Sequence, residues 1–266
     1  SLFEPLDGFT AGRPADAGVT DAAAARGEAG AADASIATSD ASAVGTWCAR
    51  LVPPPAFCAD FDEGALTNAY QGGTLVVVPG PEVCAGCSAS VGAIARSSPG
   101  AFLAELPAFT ATTGVAVRYE QPLELAGKGE SLRFAMKLVE TEIGTEVDFA
   151  TLRLVGPEPS SLLVRAIFGI QPSGGGSLYL DTGSSVTAPF GFPADGEWHE
   201  YQLDLDLAAT EVRARLAIDD REVATAASGA VAFTSSKAAS FYLGPSVDPP
   251  SQSVRIAIDD VTFTTR

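Results

Sequence analysis

Residues 47–266 consist of short apolar or alternating runs, and Gly, Pro, Ser or Asp interrupts them roughly every 8–12 residues. The clearest run covers residues 198–206, where Tyr201, Leu203 and Leu205 alternate with polar residues. This period of two is typical of a strand with one buried face. No amphipathic pattern of helix length interrupts the runs. Many strands without intervening helices predict an all-β sandwich or barrel.

Residues 1–46 have a different composition, with 14 Ala, seven Asp or Glu and two Arg. Large apolar residues are few, so a transient helix here would have no apolar face for docking. With so few apolar side chains to bury, such a segment does not gain enough free energy to offset the entropy lost on ordering. We therefore predict a disordered Ala/Asp-rich tether over residues 1–46, followed by a single domain over residues 47–266.

The chain begins at Ser1 without an initiator Met, as expected for a mature chain whose export signal has been removed. The segment also resembles the linker after the lipidated Cys of Gram-negative lipoproteins, although that Cys is absent. An ordinary signal-peptidase product or an arbitrary boundary is the alternative. We expect an extracytoplasmic protein, either secreted or an outer-membrane or cell-surface lipoprotein. It would contact a membrane only through a lipid anchor before Ser1.

Four cysteines, Cys48, Cys58, Cys84 and Cys87, lie close together in the sequence. An even number with local spacing favours two disulfides in an oxidising compartment. Cys48–Cys58 and Cys84–Cys87 are the favoured pairs, because each closes a short loop. Zinc, redox and free-thiol alternatives stay open. The C-x-x-C at residues 84–87 does not open a helix, however, and a four-cysteine zinc site needs two closely spaced pairs.

The formal net charge is −17 and the sequence pI is about 4.3. Nucleic-acid binding requires Lys and Arg to displace counterions from phosphates, so this composition argues against a nucleic-acid partner. Anionic lipid headgroups would be repelled for the same reason. The acidity is compatible with solubility, with cation binding or with a neutral partner such as a sugar.

Four segments occur in an order that resembles laminin-G-like and concanavalin-A-like domains. They are residues 57–64, 196–199 (Gly-Glu-Trp-His), 212–220, and 241–244 followed by 254–261 (Val-Arg-Ile-Ala-Ile-Asp-Asp-Val). The family usually has Asp-Gly in the turn where this chain has Asp219-Asp220. The resemblance covers roughly residues 57–266. It implies a two-sheet antiparallel jelly-roll sandwich that binds carbohydrate or protein, or cleaves glycans.

Catalytic patterns of this fold are incomplete in the sequence. Retaining glucanases carry two glutamates beside an aspartate on one strand, and the nearest match is Glu146-Val147-Asp148, with Ala150 and Thr151 where the second Glu would stand. Alginate-lyase and nucleophilic schemes need a histidine, and the only one, His199, lies in the Trp-His motif. It is predicted to be a strand residue at a sheet surface. The sequence leaves catalysis open but favours a domain without it.

The resemblance also implies a structural calcium that ties the first strand to the last. The matching residues are Glu63, the carbonyl of Gly64, and Asp259. Calcium takes six to eight oxygen ligands, which include carbonyls and water, so two carboxylates can be sufficient. The alternative is an acidic surface turn that holds no ion.

Aromatic side chains are the candidates for sugar stacking, because a flat apolar ring suits a pyranose. The candidates are Trp198, Tyr179 and Phe190, with Trp47 and Phe192 as further possibilities. Aromatic residues on strands more often pack in the core. The leading hypothesis is an exported, surface-tethered module that binds glycan or another envelope or extracellular component. The alternatives are a glycan-active hydrolase or lyase of the same fold, and a structural or adhesion protein.

Overall fold

A computed structural model describes residues 47–62, 73–78, 84, 86–97, 99–108, 114–123, 127–141, 146–156, 163–208, 210–231, 236–247 and 253–266. These residues form one short 3-10 turn, Cys48–Arg50, and fifteen β-strands. The strands are β1 Phe57–Ala59, β2 Thr74–Val78, β3 Ser88–Gly92, β4 Ala101–Leu106, β5 Val115–Leu123, β6 Gly129–Thr141, β7 Val147–Val155, β8 Leu163–Ile170, β9 Gly176–Asp181, β10 Ser185–Phe190, β11 Trp198–Leu207, β12 Glu211–Ile218, β13 Arg221–Gly229, β14 Ala238–Val247 and β15 Val254–Thr265.

The strands form two antiparallel sheets. One has eight strands in the order β13-β12-β11-β6-β15-β4-β3, with β1 also paired to β15. The other has seven strands in the order β10-β9-β8-β7-β14-β5-β2. Strands that are distant in sequence are neighbours in both sheets, as expected for a jelly roll rather than a simple meander. The predicted all-β sandwich is confirmed.

Alternation along the strands builds the core between the sheets. In β11, Tyr201, Leu203 and Leu205 are buried, as the sequence pattern predicts. An aromatic stack joins the sheets, with ring centroids of Phe168 and Tyr201 5.2 Å apart and those of Phe134 and Tyr201 5.6 Å apart. Such pairs stabilise the sandwich beyond the area they bury.

The turn between β12 and β13 is built from two residues with positive φ angles. Asp219 and Asp220 have φ angles of 50° and 61°. Positive φ at both central residues is the requirement of a type I′ hairpin turn, which Asp tolerates better than most residues other than Gly and Asn. Asp219-Asp220 therefore supplies the tight turn that Asp-Gly usually supplies.

Both predicted disulfides are present. Cys48 is bonded to Cys58 with Cα atoms 5.8 Å apart, and Cys84 to Cys87 with Cα atoms 5.4 Å apart. All four cysteines are therefore disulfide-bonded, and none is a free thiol. The first disulfide links the 3-10 turn to β1, which pairs with β15.

The predicted tether, residues 1–46, lies outside the described residues, so the two-part division of the chain stays a prediction. In the part of the chain that the structure describes, no helix combines the length and apolarity required to cross a bilayer.

Gly244 lies at a bulge in β14, where it has a φ of 132°. An added Cβ would overlap the carbonyl oxygen of Val117 and lie 2.8 Å from the Cα of Arg118. We expect Gly244→Ala to lower the free energy of unfolding by about 2–3 kcal/mol, measured by chemical denaturation. Gly191 has no atom within 4 Å of its added Cβ, so Gly191→Ala is the matched control. Equal stability of the two variants would contradict this packing.

Candidate functional site

The outer face of the eight-stranded sheet carries charges that neutralise one another. Alternation turns acidic residues of β11 outward, opposite to the buried Tyr201 and Leu203. Each acid is paired with arginine: Asp206 with Arg215 (2.5 Å), Asp204 with Arg266 (2.8 Å), and Glu200 with Arg96 (3.2 Å) and Arg133. This face therefore presents a ladder of ion pairs.

A loop also lies against this face. Asp259 of β15 accepts hydrogen bonds from the backbone N–H groups of Arg96 (3.0 Å) and Ser97 (2.9 Å). Asp259 is fully buried, and so is the neighbouring Ala257. The loop at residues 96–97 therefore covers the eight-stranded sheet at Asp259.

The outer face of the seven-stranded sheet brings two rows of side chains together. Register places Thr151 of β7 opposite Tyr242 of β14 and Ile167 of β8, and Ile167 opposite Tyr179 of β9. The next row contains Asp181, Arg165, Arg153 and Ser240, each opposite the one before. All of these side chains are partly exposed. Arg118 and Glu120 of β5 extend the face beyond Tyr242.

We name this surface the arginine–tyrosine face and define it by Arg118, Arg153, Arg165, Tyr179 and Tyr242. Antiparallel neighbours are about 4.8 Å apart, so the five strands from β9 to β5 span roughly 19 Å.

Contacts within the face are specific. The guanidinium of Arg118 lies over the ring of Tyr242, 4.6 Å from its centroid, and Nη1 of Arg153 donates a hydrogen bond to the Tyr242 hydroxyl (3.2 Å). The remaining charges are paired: Arg165 with Asp181 (2.6 Å) and Arg118 with Glu120 (2.8 Å). Tyr242 is therefore held between two arginines.

Arg153 differs from the other two arginines of the face, because no carboxylate of the described residues forms an ion pair with it. It lies directly opposite Arg165, and like charges at opposed positions of antiparallel strands destabilise a sheet. Asp181 neutralises Arg165 alone. Within the described part of the chain, the face thus has one cation without an acidic partner, in a chain whose formal net charge is −17. An anionic group that bound here would remove the repulsion.

The structure separates the aromatic residues that the sequence suggested. Tyr179 lies on the arginine–tyrosine face, where its hydroxyl contacts Ser185. Phe190 turns inward, packs against the core and lies 6.4 Å from Phe192 between ring centroids. Trp198 lies on the outer face of the other sheet, opposite Lys137. Trp47 is partly exposed and precedes the 3-10 turn.

Sequence reasoning missed Arg118, Arg153, Arg165 and Tyr242. Alternation within each strand shows that these residues point away from the core. It does not show which strands are neighbours or how they are registered. Their assembly into one surface therefore had no signal in a single sequence.

The acidic pair of the glucanase-like segment is close to the same face. Glu146 is exposed and accepts a hydrogen bond from Gln171. Asp148 stands opposite Gly169 of β8 and Ser246 of β14, so neither cross-strand position supplies a second carboxylate.

Of the three predicted calcium ligands, Glu63 and Gly64 lie outside the described residues, and Asp259 lies within them. Asp259 lies on β15, and its carboxylate also accepts hydrogen bonds from the Ser97 hydroxyl (3.3 Å) and the Asp260 N–H (2.9 Å). Burial raises the pKa of Asp259 to about 7, against the hydrogen bonds that lower it. Among the described residues, no group of three or more His, Cys, Asp or Glu has metal-binding geometry. The calcium site stays a prediction.

Comparisons with known proteins bear on the fold. No protein-family model matches the chain, and no curated protein matches it. Among solved structures, it is similar to the cellulose induced protein Cip1, with a TM-score of 0.54 and 12% identity over 79% of this chain and 97% of that one.

Two further solved structures are similar at lower scores. They are the family 7 alginate lyase A1-II′ (TM-score 0.46, 13% identity, covering 65% of this chain and 83% of that one) and the carbohydrate binding module CBM66 from Bacillus subtilis (0.38, 9%, 72% and 95%). Similarity at these identities shows the fold alone. The two antiparallel sheets and the similarity to Cip1 show the predicted jelly-roll sandwich fold.

Calcium binding at Asp259 has a direct test in thermal unfolding. We expect saturating Ca²⁺ to raise the Tm of the native protein by about 5 °C relative to a chelator, because a ligand that binds only the folded state stabilises it. Asp259→Asn should show no difference between the two conditions, and Mg²⁺ should not replace Ca²⁺. Identical Tm values of the native protein with Ca²⁺ and with chelator would reject the site.

Proposed function

We propose that this protein is an exported module that binds a glycan carrying acidic groups, across the arginine–tyrosine face. The observation that supports this most directly is Arg153, which lies opposite Arg165 without an acidic partner among the described residues. A sugar carboxylate or sulfate would supply that partner through a charge-assisted, bidentate hydrogen bond with the guanidinium.

The shape of the face suits an extended saccharide. Tyr179 and Tyr242 lie in one row of side chains, with Ile167 and Thr151 between them. A tyrosine combines a flat apolar ring with a hydroxyl that exchanges hydrogen bonds with sugar hydroxyls. The roughly 19 Å width of the five strands accommodates several sugar units.

The proposed location rests on the two disulfides, which persist in oxidising compartments. Export, with a tether formed by residues 1–46, would display the sandwich at the cell surface or in the medium. A lipid anchor before Ser1 is part of the proposal. A purely structural or adhesive role is the alternative that does not require the uncompensated arginine.

Arg153 provides the test of binding. We expect Arg153→Ala to weaken binding to a uronate-containing oligosaccharide by at least about tenfold, because the charged contact is lost. The measurement is titration calorimetry with the best acidic hit from a glycan array, repeated with its carboxyl-reduced form, which should bind as weakly as the variant does.

The matched control is Arg213→Ala. Arg213 is exposed on β12 of the other sheet, where it pairs with Glu211. Arg213→Ala changes the net charge by the same amount as Arg153→Ala. The affinity of Arg213→Ala for the oligosaccharide should stay within about twofold of the native value. Equal losses in both variants, or no binding to any acidic glycan, would reject the proposal.

Cleavage is a second candidate, favoured by the Tyr242 hydroxyl next to Arg153. If Arg153 holds a uronate carboxylate, the adjacent hydroxyl is placed to exchange a proton at the neighbouring ring carbon. Elimination would then pass the C–H proton to the Tyr242 oxygen while the tyrosine hydroxyl gives its own proton to the oxygen of the leaving sugar; the C–O bond breaks and a carbon–carbon double bond remains. Proton exchange by a positioned side chain is a common catalytic contribution.

Tyr242→Phe separates binding from cleavage. We expect this variant to lose formation of unsaturated sugar, followed by ultraviolet absorbance, while affinity for the oligosaccharide changes only a few-fold. Absence of unsaturated product from the native protein with every acidic glycan that binds would exclude elimination and leave the binding proposal standing.

A further inference from the structure

The only histidine of the chain lies between two aspartates, outside the arginine–tyrosine face. His199 of β11 has Nδ1 2.6 Å from Oδ2 of Asp219. Its Nε2 lies 3.0 Å and 3.1 Å from the two carboxylate oxygens of Asp195. Both ring nitrogens therefore face acceptors.

This arrangement fits the imidazolium and not the neutral ring. A neutral imidazole has one N–H donor, so its other nitrogen would direct a lone pair at a carboxylate. Only the doubly protonated ring donates to both aspartates. The geometry by itself thus assigns a preferred charge state to His199.

Both aspartates are fixed to the backbone. Oδ1 of Asp195 accepts the N–H of Glu197 (2.9 Å), and Oδ1 of Asp219 accepts the N–H of Glu200 (2.9 Å). Asp219 is further held by the type I′ turn, where its own N–H donates to the Glu200 carbonyl (2.8 Å). The acceptors are positioned before the histidine becomes charged.

The two aspartates belong to different segments. Asp195 lies in residues 191–197, which cross from β10 of the seven-stranded sheet to β11 of the eight-stranded sheet. The crossover also carries Phe192, whose ring centroid is 5.6 Å from that of Phe149 and 6.3 Å from that of Tyr201. Asp219 lies in the β12–β13 turn. A bond at both nitrogens therefore fastens the crossover to that turn.

We propose that protonated His199 is a pH-dependent clamp, which fastens the crossover at residues 191–197 to the β12–β13 turn and releases it when the ring loses its proton. The Asp195 contact is the one that opens, because the Asp219 contact is shorter and lies in a tight turn. The neutral ring still donates Nδ1–H to Asp219, but its unprotonated Nε2 directs a lone pair at the Asp195 carboxylate and repels it.

Other charged groups around the clamp do not replace it. On β6, Arg133 pairs with Asp220 and Glu200, and Lys137 stands opposite Trp198 on the outer face. On β11 itself, Tyr201 is the next residue that faces inward. Burial raises the pKa of Tyr201, and the charges of Asp219 and Asp195 raise it further, so it stays neutral.

The direction of the pH effect follows from the partners. Burial lowers the pKa of His199, but the hydrogen bonds and charges of Asp219 and Asp195 outweigh it and raise the pKa above its ordinary value. A raised pKa in the folded state stabilises the protein fully below the unfolded value of about 6.5, and this stabilisation is lost as pH rises through the folded value. The clamp is closed in acid and open in alkali.

Nuclear magnetic resonance tests the charge state of His199, because the ring C–H signals of the one histidine in the chain can be assigned without ambiguity. We expect the His199 signal in the native protein to titrate above pH 6.5, and to titrate lower in Asp195→Asn and in Asp219→Asn. The matched control is Asp220→Asn, in the same turn but paired with Arg133 instead of His199. It should leave the titration almost unchanged. A native titration at or below 6.5, or an equal shift in Asp220→Asn, would overturn the clamp.

Hydrogen exchange of residues 191–197 tests the release. After correction for intrinsic exchange, protection in the native protein should fall about tenfold between acidic and alkaline pH, and Asp195→Asn should show low protection at both. Asp195→Asn keeps the Asp219 bond, so it avoids the larger disturbance of removing the ring. Constant protection in the native protein, or the same pH-dependent fall in Asp195→Asn, would refute the release.

Discussion

The register of the seven-stranded sheet is fixed by its core and determines what appears on its outer face. Leu152 and Leu154 of β7 are fully buried, while Arg153 between them points outward. A slip of one residue would expose the two leucines and drive the arginine into the core, so the alternation strongly selects one register. The same selection on β8 and β14 brings Arg165 and Tyr242 beside Arg153. Packing of apolar residues thus positions polar residues that never touch the core.

The two sheets use arginine differently. On the eight-stranded sheet, acids on β11 neutralise Arg215 of the neighbouring β12 and Arg266, which follows β15, and exposed pairs of this kind contribute little to stability. On the seven-stranded sheet, Arg153 and Arg165 oppose each other, and a tyrosine hydroxyl takes the place of one acid. An arrangement with this electrostatic cost is a better indicator of a ligand than the number of arginines on a face.

Local patterns were sufficient for the fold class, both disulfides and the burial pattern of β11, because each depends on residues close in sequence. The site depends on contacts between distant segments. Arg153 hydrogen-bonds Tyr242 across 89 positions, and Arg118 and Tyr242 meet only because β5 pairs with β14. His199 shows the same limit: its Trp-His motif predicted a strand residue, and β11 contains it, but Asp219 is 20 positions away and reaches it only through the β12–β13 turn. Composition indicated a neutral sugar or a cation, whereas the proposal of an acidic glycan rests on a local cation that the net charge does not reveal.

The acidic surface and the cationic face act over different distances. At physiological ionic strength charges are screened beyond about 8 Å, so the formal net charge of −17 repels an acidic glycan only after the glycan has come close to the protein surface. Attraction to Arg153 begins only near contact, where a guanidinium and a carboxylate share two hydrogen bonds. Added salt weakens the contact and also weakens the repulsion, so the two effects oppose each other. A glycan held in this way is selected by the placement of its acidic group against Arg153 and Arg165, and its total charge contributes little. This distinguishes the arginine–tyrosine face from a basic patch, which attracts any polyanion.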